Sequence, residues 1–286
     1  MSANTDMEQH TARRSSTVDI RGTNYNVHEW GDPQSPMFVY LHGWGDAGST
    51  FQFVVDALQG DWHVVAPDWR GFGDSRGAVS SYYFPDYLAD LDALLMYYSP
   101  ERPAALVGHS MGGNIAGLFA GVMPERVSAF VNIEGFGMPD SDPARAPARY
   151  RTWIERGRES PAYSEYADFD ALAKRIHERN PRMTREQAAF VARCWARRHD
   201  DGVVRLRADP LHKLPNPVLY RRAEAESCWQ RITAPVLAVF GSDSPWRELE
   251  FPVGSALEID LSGHMLHFEA PCELAHAIET FLGALL

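Results

Sequence analysis

Short apolar runs that alternate with helical patterns are the feature of this sequence that most constrains its fold. Each run is rich in β-branched and aromatic residues and ends at a turn signal or a polar residue, which is typical of buried strands. The segments between the runs repeat apolar residues at three- and four-residue steps, which is typical of helices. This alternation predicts an α/β fold with a doubly wound, mostly parallel sheet. The predicted strands are 37–41, 63–67, 104–108, 128–133, 235–241 and 256–261, and the predicted helices are 51–58, 86–98, 114–123 and 273–286.

Two more strands are predicted near the N-terminus, at 17–22 and 25–30. Their hydrophobic alternation is broken at Gly22 and ends at Gly31, as expected of an antiparallel hairpin at the edge of a sheet. Together with the six runs above, they predict an eight-stranded sheet. Residues 1–16 carry no such pattern, so we expect a disordered N-terminal tail.

The middle of the chain, residues 138–231, is predicted to be a helical cap inserted into the core. Prolines mark its start, helical patterns follow at 150–157, 168–179 and 184–198, and Thr184 with Gln187 has the spacing of a capping box. This segment is basic, with 19 of the 27 Lys and Arg residues and 14 of the 38 Asp and Glu residues. Such asymmetry indicates a separate unit on an acidic core, which would then consist of 17–137 and 232–286.

Composition restricts the partners that we expect. The 286 residues are 45% hydrophobic, contain no apolar run long enough to cross a bilayer, and begin without the apolar stretch of a secretory signal. We therefore expect a cytoplasmic protein without a membrane segment. The net charge of -11 argues against binding to nucleic acid or anionic membranes, because both reward basic surfaces. A small-molecule substrate is the expected partner, and a homo-oligomer is left open.

The segment Gly108-His-Ser110-Met-Gly112 is the strongest chemical signal in the sequence. It has the pattern G-x-S-x-G, directly follows a predicted strand and directly precedes a predicted helix. In that context the pattern is a nucleophile elbow, a tight turn that raises the serine hydroxyl above the sheet. The helix also directs its N-terminal amides towards the serine. We therefore predict Ser110 as a nucleophile.

An oxyanion hole is predicted beside this serine. The amide of the residue after the nucleophile, Met111, supplies one donor, and the loop after the third strand supplies the other. That loop is His42-Gly43-Trp44, and Trp44 is the expected donor. His42 is interpreted as a structural residue of the turn.

These motifs resemble the α/β-hydrolase superfamily over nearly the whole chain, from about residue 17 onward. Two further segments match in order: 68–75, which resembles the family's D-x-R-G-x-G-x-S loop, and Gly263-His264, which resembles its catalytic histidine motif. Asp68, Arg70 and Ser75 are interpreted as structural residues of that loop. The serine at the elbow argues against the haloalkane dehalogenase and epoxide hydrolase relatives, which use an aspartate there.

His264 is the predicted base of a Ser-acid-His triad. It follows the last predicted strand, so the chain order of nucleophile, acid and histidine is the one that the α/β-hydrolase triad requires. A neutral imidazole at this position would take the proton from Ser110 and return it to the leaving group. His267 is a weaker alternative, because it lies beyond the expected loop.

The acid of the triad has two candidates. The family resemblance favours Asp243, which follows the strand at 235–241, although the spacing from Gly241 is one residue shorter than usual. Glu134 is the alternative, since some relatives place the acid after the sixth strand. Either carboxylate would have to reach the second ring nitrogen of His264.

The leading functional hypothesis is hydrolysis of a small-molecule carboxylic ester through an acyl-enzyme, which needs neither a metal nor a cofactor. The same site could instead serve a carbon-carbon, amide or thioester hydrolase or a cofactor-free perhydrolase. A hydrolase-like protein that only binds a ligand is a remoter alternative. Several aromatic residues could line a pocket beneath the cap or belong to the core. They are Trp44, Trp69, Tyr82, Phe136 and Trp153.

Overall fold

One eight-stranded sheet forms the centre of the fold. A computed structural model describes residues 10–77, 79–159, 161–246, 249 and 251–285. The strands of this sheet are β1 (Arg13–Ile20), β2 (Thr23–Trp30), β3 (Met37–Leu41), β4 (His63–Pro67), β5 (Ala104–His109), β6 (Val127–Ile133), β9 (Val236–Gly241) and β10 (Ser255–Ile259). The strand order is β1-β2-β4-β3-β5-β6-β9-β10; β1 and β2 pair antiparallel at one edge, β2 is antiparallel to β4, and all the other pairs are parallel. The predicted fold class is confirmed.

Helices cover both faces of this sheet. Successive residues of a strand point to opposite faces, so each strand contributes side chains to the packing on both sides. Val39 and Leu41 of β3 pack with helices α2 (Phe84–Tyr98) and α3 (Met111–Val122). Phe38 and Tyr40 of the same strand pack with α1 (Gln52–Ala57), α8 (Leu266–Glu269) and α9 (Pro271–Gly283). Both faces are therefore buried, which is why the strands read as continuous apolar runs rather than as alternating patterns. Among the described helices, none combines the length and the apolar character needed to cross a bilayer.

The regular secondary structure of the segment between β6 and β9 is mainly helical. It contains α4 (Ala146–Arg156), α5 (Phe169–Arg179), α6 (Arg185–Trp195) and α7 (Arg222–Trp229). The predicted capping box is present at the start of α6, where the Thr184 hydroxyl accepts from the Gln187 amide. Apolar residues of α5 and α6 form their own buried cluster, which Phe268 joins from the core. The last helix of this segment, α7, packs on α3 instead. The two helices lie so close together that a Cβ on Gly121 would collide with the Cys228 carbonyl oxygen.

Two details differ from the sequence predictions. A two-stranded antiparallel hairpin, β7 (Ala196–Arg198) and β8 (Val204–Leu206), follows α6 where we predicted helices alone. Its strands are three residues long and rich in arginine, so they carry no readable alternation. The predicted disordered tail is also too long, because β1 begins at Arg13 and its polar first half pairs with β2 through backbone hydrogen bonds. Residues 1–9 of that tail lie outside the described residues.

Candidate active site

Ser110 lies in the tight turn between β5 and α3. Its φ of 50° is in the left-handed region, which is uncommon for residues other than glycine and often marks a functional position. The Ser110 amide donates to the Ile133 carbonyl of the neighbouring strand β6 at 2.8 Å, which fixes the turn. The turn also needs Gly112, since a Cβ there would lie 2.0 Å from the Leu41 carbonyl oxygen. The local sequence therefore produces the predicted elbow.

His264 reaches Ser110 from the loop that follows β10. Its Nε2 lies 3.1 Å from Ser110 Oγ, within the range of a hydrogen bond. The His264 side chain is 29% exposed, so part of the ring is accessible to solvent. The structure thus brings together the two residues that we predicted as nucleophile and base.

Glu134 is the carboxylate that contacts the other side of the His264 ring. It directly follows β6 with a φ of 59°, and its Oε2 lies 3.1 Å from His264 Nδ1. The fully buried carboxylate also accepts the Gly241 amide at 2.9 Å and the Ser244 hydroxyl at 2.5 Å. These two donors and the contact with His264 Nδ1 fix the orientation of the carboxylate.

Asp243, the acid that the sequence favoured, does not contact His264. Its side chain is 53% exposed and forms an ion pair with Arg182, while its amide donates to the Ser262 carbonyl. The turn after β9 instead directs its next residue, Ser244, towards Glu134. The preference for Asp243 is therefore corrected: the contact expected of it is made by the alternative candidate, Glu134.

Trp44 and Met111, the predicted oxyanion donors, border one cavity of about 200 Å³. Tyr82 and Trp153 line the same cavity, so three of the five aromatic candidates face it. The other two, Trp69 and Phe136, are buried core residues, with 0% and 3% exposure. His42 is buried as well and accepts the Trp69 amide at 2.8 Å, which agrees with a structural role for this histidine.

The loop 68–75 is held by its own side chains. The buried Asp68 accepts the amides of Gly48 and Asp74 at 2.8 and 2.9 Å. Burial alone would raise its pKa, but hydrogen bonds and the neighbouring His28 hold the pKa of this carboxyl well below its usual value. Arg70 forms a two-pronged ion pair with the buried Asp90, with both distances 2.7 Å. These contacts agree with the structural roles predicted for the loop.

Comparisons with known proteins decide the family. Residues 36–271 match the family described as the alpha/beta hydrolase fold, which is most of the chain. This chain is an α/β hydrolase. It is 26% identical to a serine hydrolase-like protein of Danio rerio over 88% of this chain and 83% of that protein. It is 34% identical to a pimeloyl-[acyl-carrier protein] methyl ester esterase of Vibrio parahaemolyticus over 38% of this chain and 40% of that one.

Its fold is also that of a solved structure, the thioesterase domain from the curacin biosynthetic pathway. The two superpose with a TM-score of 0.82 and 24% identity, over 93% of this chain and 99% of the other. A likeness at this level of identity establishes the fold alone. The relatives named as hydrolases and esterases support a hydrolase.

A second histidine and carboxylate lie behind the first pair in this hydrolase, and sequence reasoning missed them as a unit. His267 Nε2 lies 3.0 Å from Asp46 Oδ2, and both side chains are almost completely buried. Asp46 also accepts from Thr50 at 2.8 Å and from Trp195 of α6 at 2.7 Å. Burial alone would raise the pKa of Asp46, but the contact with His267 brings it below its usual value.

His109 lies between the two pairs. Its ring is 4.9 Å from the His264 ring and 4.5 Å from the His267 ring, centroid to centroid, and its Nε2 lies 2.8 Å from the His264 carbonyl oxygen. Burial, and then its two histidine neighbours, lower the pKa of His109 well below its usual value. A neutral His109 therefore donates to the backbone of the His264 loop. Its place inside the elbow motif is the one signal of this role in the sequence.

Asp46, His109 and His267 are also the residue types that bind metals, and their ligand atoms lie within 4.8 Å of one another. Their hydrogen bonds argue for a different role. The Asp46 carboxylate already accepts three hydrogen bonds, and His109 Nε2 is used by the His264 carbonyl. The group is better described as a buried polar network beneath the site.

Proposed function

We propose that this hydrolase cleaves the carboxylic ester of a small molecule through an acyl-enzyme intermediate, with Ser110 as the nucleophile. The observation that carries the proposal is the position of the His264 ring. Its two nitrogens lie 3.1 Å from Ser110 Oγ and 3.1 Å from Glu134 Oε2. A serine, a histidine and a carboxylate in this order of contact can activate a serine for acyl transfer.

Acylation begins with the Ser110 hydroxyl, which donates its hydrogen bond to Nε2 of a neutral His264. As Oγ attacks the carbonyl carbon of the ester, the proton moves to Nε2, and the carboxylate of Glu134 stabilises the imidazolium. The imidazolium returns the proton to the alcohol oxygen as the C–O bond breaks. Water then repeats these steps on the acyl-serine and releases the acid, so ester and water balance the reaction.

The oxyanion of each tetrahedral intermediate is assigned to the amides of Met111 and Trp44. Met111 is the first residue of α3, so its amide has no partner within the helix and lies at the positive end of the helix dipole. Trp44 follows Gly43, where an added Cβ would lie 3.3 Å from Ser110 Cβ. Both amides therefore belong to residues beside the nucleophile, and each such donor lowers a barrier by about 2.7–4 kcal/mol.

The cavity next to Met111, the residue after the nucleophile, supports a small carboxylic ester as the substrate. The cavity of about 200 Å³ beside Met111 is lined mainly by aromatic and aliphatic side chains. The Vibrio parahaemolyticus relative is named a methyl ester esterase, which favours an ester over other acyl compounds. In this proposal residues 138–231 act as a cap, because Trp153 and Leu211 of that segment line the cavity together with Trp44.

The proposal is tested with p-nitrophenyl butyrate and a fluorophosphonate probe. We expect a burst of p-nitrophenol equal to the enzyme concentration, followed by slower turnover, because acylation by this activated ester is faster than deacylation. The probe should add to Ser110, as located by mass spectrometry of the digested protein. Ser110→Ala should abolish both signals.

The matched control is Ser227→Ala, which removes the same hydroxyl from the exposed face of α7. This variant should keep both the burst and the labelling. Absence of both signals from the folded wild-type protein would overturn the proposal and favour a protein that only binds its ligand. Labelling at another serine would overturn the assignment of the nucleophile.

A further inference from the structure

A second cavity, of about 440 Å³, lies between the loop 71–77 and the hairpin of β7 and β8. Four arginines line it, together with His199 and two carboxylates, Glu165 and Asp209. The lining is therefore basic, whereas the whole chain has a net charge of -11. The four arginines are Arg76, Arg197, Arg205 and Arg207.

Two of these arginines are neutralised by carboxylates. Arg205 pairs with Glu165 and with Asp201, and both distances are 2.7 Å. Arg207 forms an ion pair with Asp74 of the loop 68–75. The remaining acid of the lining, Asp209, accepts the Tyr82 hydroxyl at 2.9 Å and the Leu211 amide at 2.9 Å. None of these carboxylates is hydrogen-bonded to the other two arginines.

Of the four arginines that line this cavity, Arg76 and Arg197 have no carboxylate partner among the described residues. Arg76 donates to backbone carbonyls alone, those of Ser75 and Arg207, each at 2.9 Å. The Arg197 guanidinium has no hydrogen-bond or ion-pair partner in the described part of the chain. Burial, and next the positive charge of Arg197, lower the pKa of Arg76 from its usual value. Two guanidinium groups without a hydrogen-bonded carboxylate therefore share one cavity.

Tyr82 connects this cavity with the candidate active site. Its side chain lines both the 440 Å³ cavity and the 200 Å³ cavity that Trp44 and Met111 border. The two cavities therefore adjoin at Tyr82, and a substrate that reaches both would have to extend past this side chain. Guanidinium groups match carboxylates and phosphates particularly well, because their planar array of donors can bind two oxygens at once.

We infer that Arg76 and Arg197 bind an anionic group, a carboxylate or a phosphate, at the end of the substrate remote from the scissile ester. This inference rests on the proposed function and adds the substrate class to it. It requires that the hydrolase prefer esters with a remote negative charge, and that the preference depend on these two side chains.

The test compares p-nitrophenyl esters that differ in remote charge. The neutral ester is p-nitrophenyl butyrate, and the anionic esters are the p-nitrophenyl hemiesters of succinate, glutarate and adipate, together with p-nitrophenyl 4-phosphonooxybutyrate. We expect kcat/KM to be higher for at least one anionic ester than for the neutral one. Arg197→Gln should lower the ratio of anionic to neutral kcat/KM by about 10-fold, which is the effect of losing one hydrogen bond to a charged group. A preference for the hemiesters or for the phosphate ester identifies which anion is bound.

Arg198→Gln is the matched control. Arg198 is the next residue of β7, so its side chain points to the other side of the hairpin, where it donates to the Gly202 carbonyl and lies over the Phe169 ring. The control removes the same charge and should leave every ratio of rates unchanged. Arg76→Lys keeps a charge in the cavity but loses the planar donors, and it should also lower the preference.

The outcomes separate the two proposals. If the wild type cleaves the neutral ester but Arg197→Gln and Arg198→Gln have the same ratio of anionic to neutral kcat/KM, this inference is overturned while the proposed function stands. If no ester is cleaved, binding of glutarate and inorganic phosphate is measured by calorimetry. Binding that is lost in Arg197→Gln and kept in Arg198→Gln then supports the anion site alone, and absence of binding overturns it.

Discussion

The two histidine–carboxylate pairs of this molecule have nearly the same contact distance and very different surroundings. The nitrogen-to-oxygen distance is 3.1 Å for His264 with Glu134 and 3.0 Å for His267 with Asp46. The His264 side chain is 29% exposed, whereas that of His267 is 0% exposed. The second nitrogen of His264 faces Ser110, but Nδ1 of His267 is buried and has no hydrogen-bond partner among the described residues.

The difference shows that a histidine paired with a carboxylate is not by itself a catalytic unit. Proton transfer requires a nucleophile on the second nitrogen and room for the substrate, and of the two pairs only that of His264 has Ser110 within reach. A pair that is sealed in the core can contribute to stability, because the buried Asp46 carboxylate is satisfied by His267, Thr50 and Trp195. The two pairs should therefore respond in opposite ways to loss of the carboxylate.

The largest expected effect is on activity, from Glu134→Gln. The amide is similar in shape but can donate to Nδ1, which leaves the proton on Nε2 and prevents His264 from accepting the proton of Ser110. We expect kcat for p-nitrophenyl butyrate to fall by about 10³- to 10⁴-fold, as for the corresponding change in other triads. Steady-state kinetics with a thermal melt of each protein provide the measurement.

Asp243→Asn is the matched control for that change. Its carboxylate is exposed and pairs with Arg182, and exposed pairs of this kind contribute about 0–1 kcal/mol. Activity within a few-fold of the wild type is expected. A larger loss in Asp243→Asn than in Glu134→Gln would restore Asp243 as the acid and contradict the assignment made from the geometry.

The change of acid from Asp243 to Glu134 shows which residues of the site can be predicted from a sequence. Ser110 and His264 belong to short motifs whose local context, a strand end before a helix or before a loop, fixes their position. The acid is different, because any strand end next to the serine can provide it. Glu134 follows β6, the direct neighbour of β5, and its contact with His264 depends on a left-handed backbone and on Ser244 from the turn after β9. None of these is a local pattern.

The elements of the fold also differ in how well the sequence predicts them. Strands β3 and β4 were predicted with their observed bounds, because both faces of the sheet are covered and their apolar runs are unbroken. The hairpin of β7 and β8 was missed, since its backbone pairing is not accompanied by an apolar face. Asp46 and His267 were missed as a pair because 221 residues of chain separate them and the folded core alone brings them together.

The second prediction concerns Asp46, whose replacement should affect stability more than activity. Asp46→Ala removes the acceptor shared by the buried His267, the buried Thr50 and the half-buried Trp195, although the Thr50 hydroxyl keeps the Ala47 carbonyl as a second acceptor. We expect the free energy of unfolding to fall by about 3–5 kcal/mol, the usual cost of breaking a buried pair. For a chain of this length that corresponds to a fall in Tm of about 10 °C.

Glu134→Gln and Asp243→Ala serve as the comparison for that melt. Asp243→Ala removes an exposed carboxylate and should change Tm by a few degrees at most. The folded Asp46→Ala protein should lose much less turnover than Glu134→Gln, because its change does not reach the Ser110 and His264 contact. A loss of activity in Asp46→Ala as large as that in Glu134→Gln would refute the distinction between the two pairs.

The third prediction concerns pH and His109, which lies between the pairs. Its pKa is lowered in the folded protein, so between pH 6.5 and the lowered value the unfolded chain binds a proton that the folded protein does not. The contribution of the neutral His109 to the free energy of unfolding is therefore fully present above pH 6.5 and is lost as the pH falls below that value. Replacing His109 by Gln should reduce the fall in that free energy between pH 7.5 and 5 by about 1–2 kcal/mol, as measured by urea unfolding. An equally steep fall in the variant would show that other groups cause it.

The smallest expected effect is on kcat, through the hydrogen bond from His109 to the His264 carbonyl. His109→Leu removes the donor, while in His109→Gln the side-chain amide can still donate to that carbonyl. A net contribution of about 0.5–1.5 kcal/mol for one hydrogen bond corresponds to a 2- to 10-fold fall in kcat, with KM unchanged because His109 does not touch the substrate cavity. Partial recovery of kcat in His109→Gln would assign the effect to the hydrogen bond rather than to packing. Equal kcat in both variants and the wild type would mean that the His264 loop is held by its other contacts, among them the Gly263 amide on Glu269 at 2.7 Å.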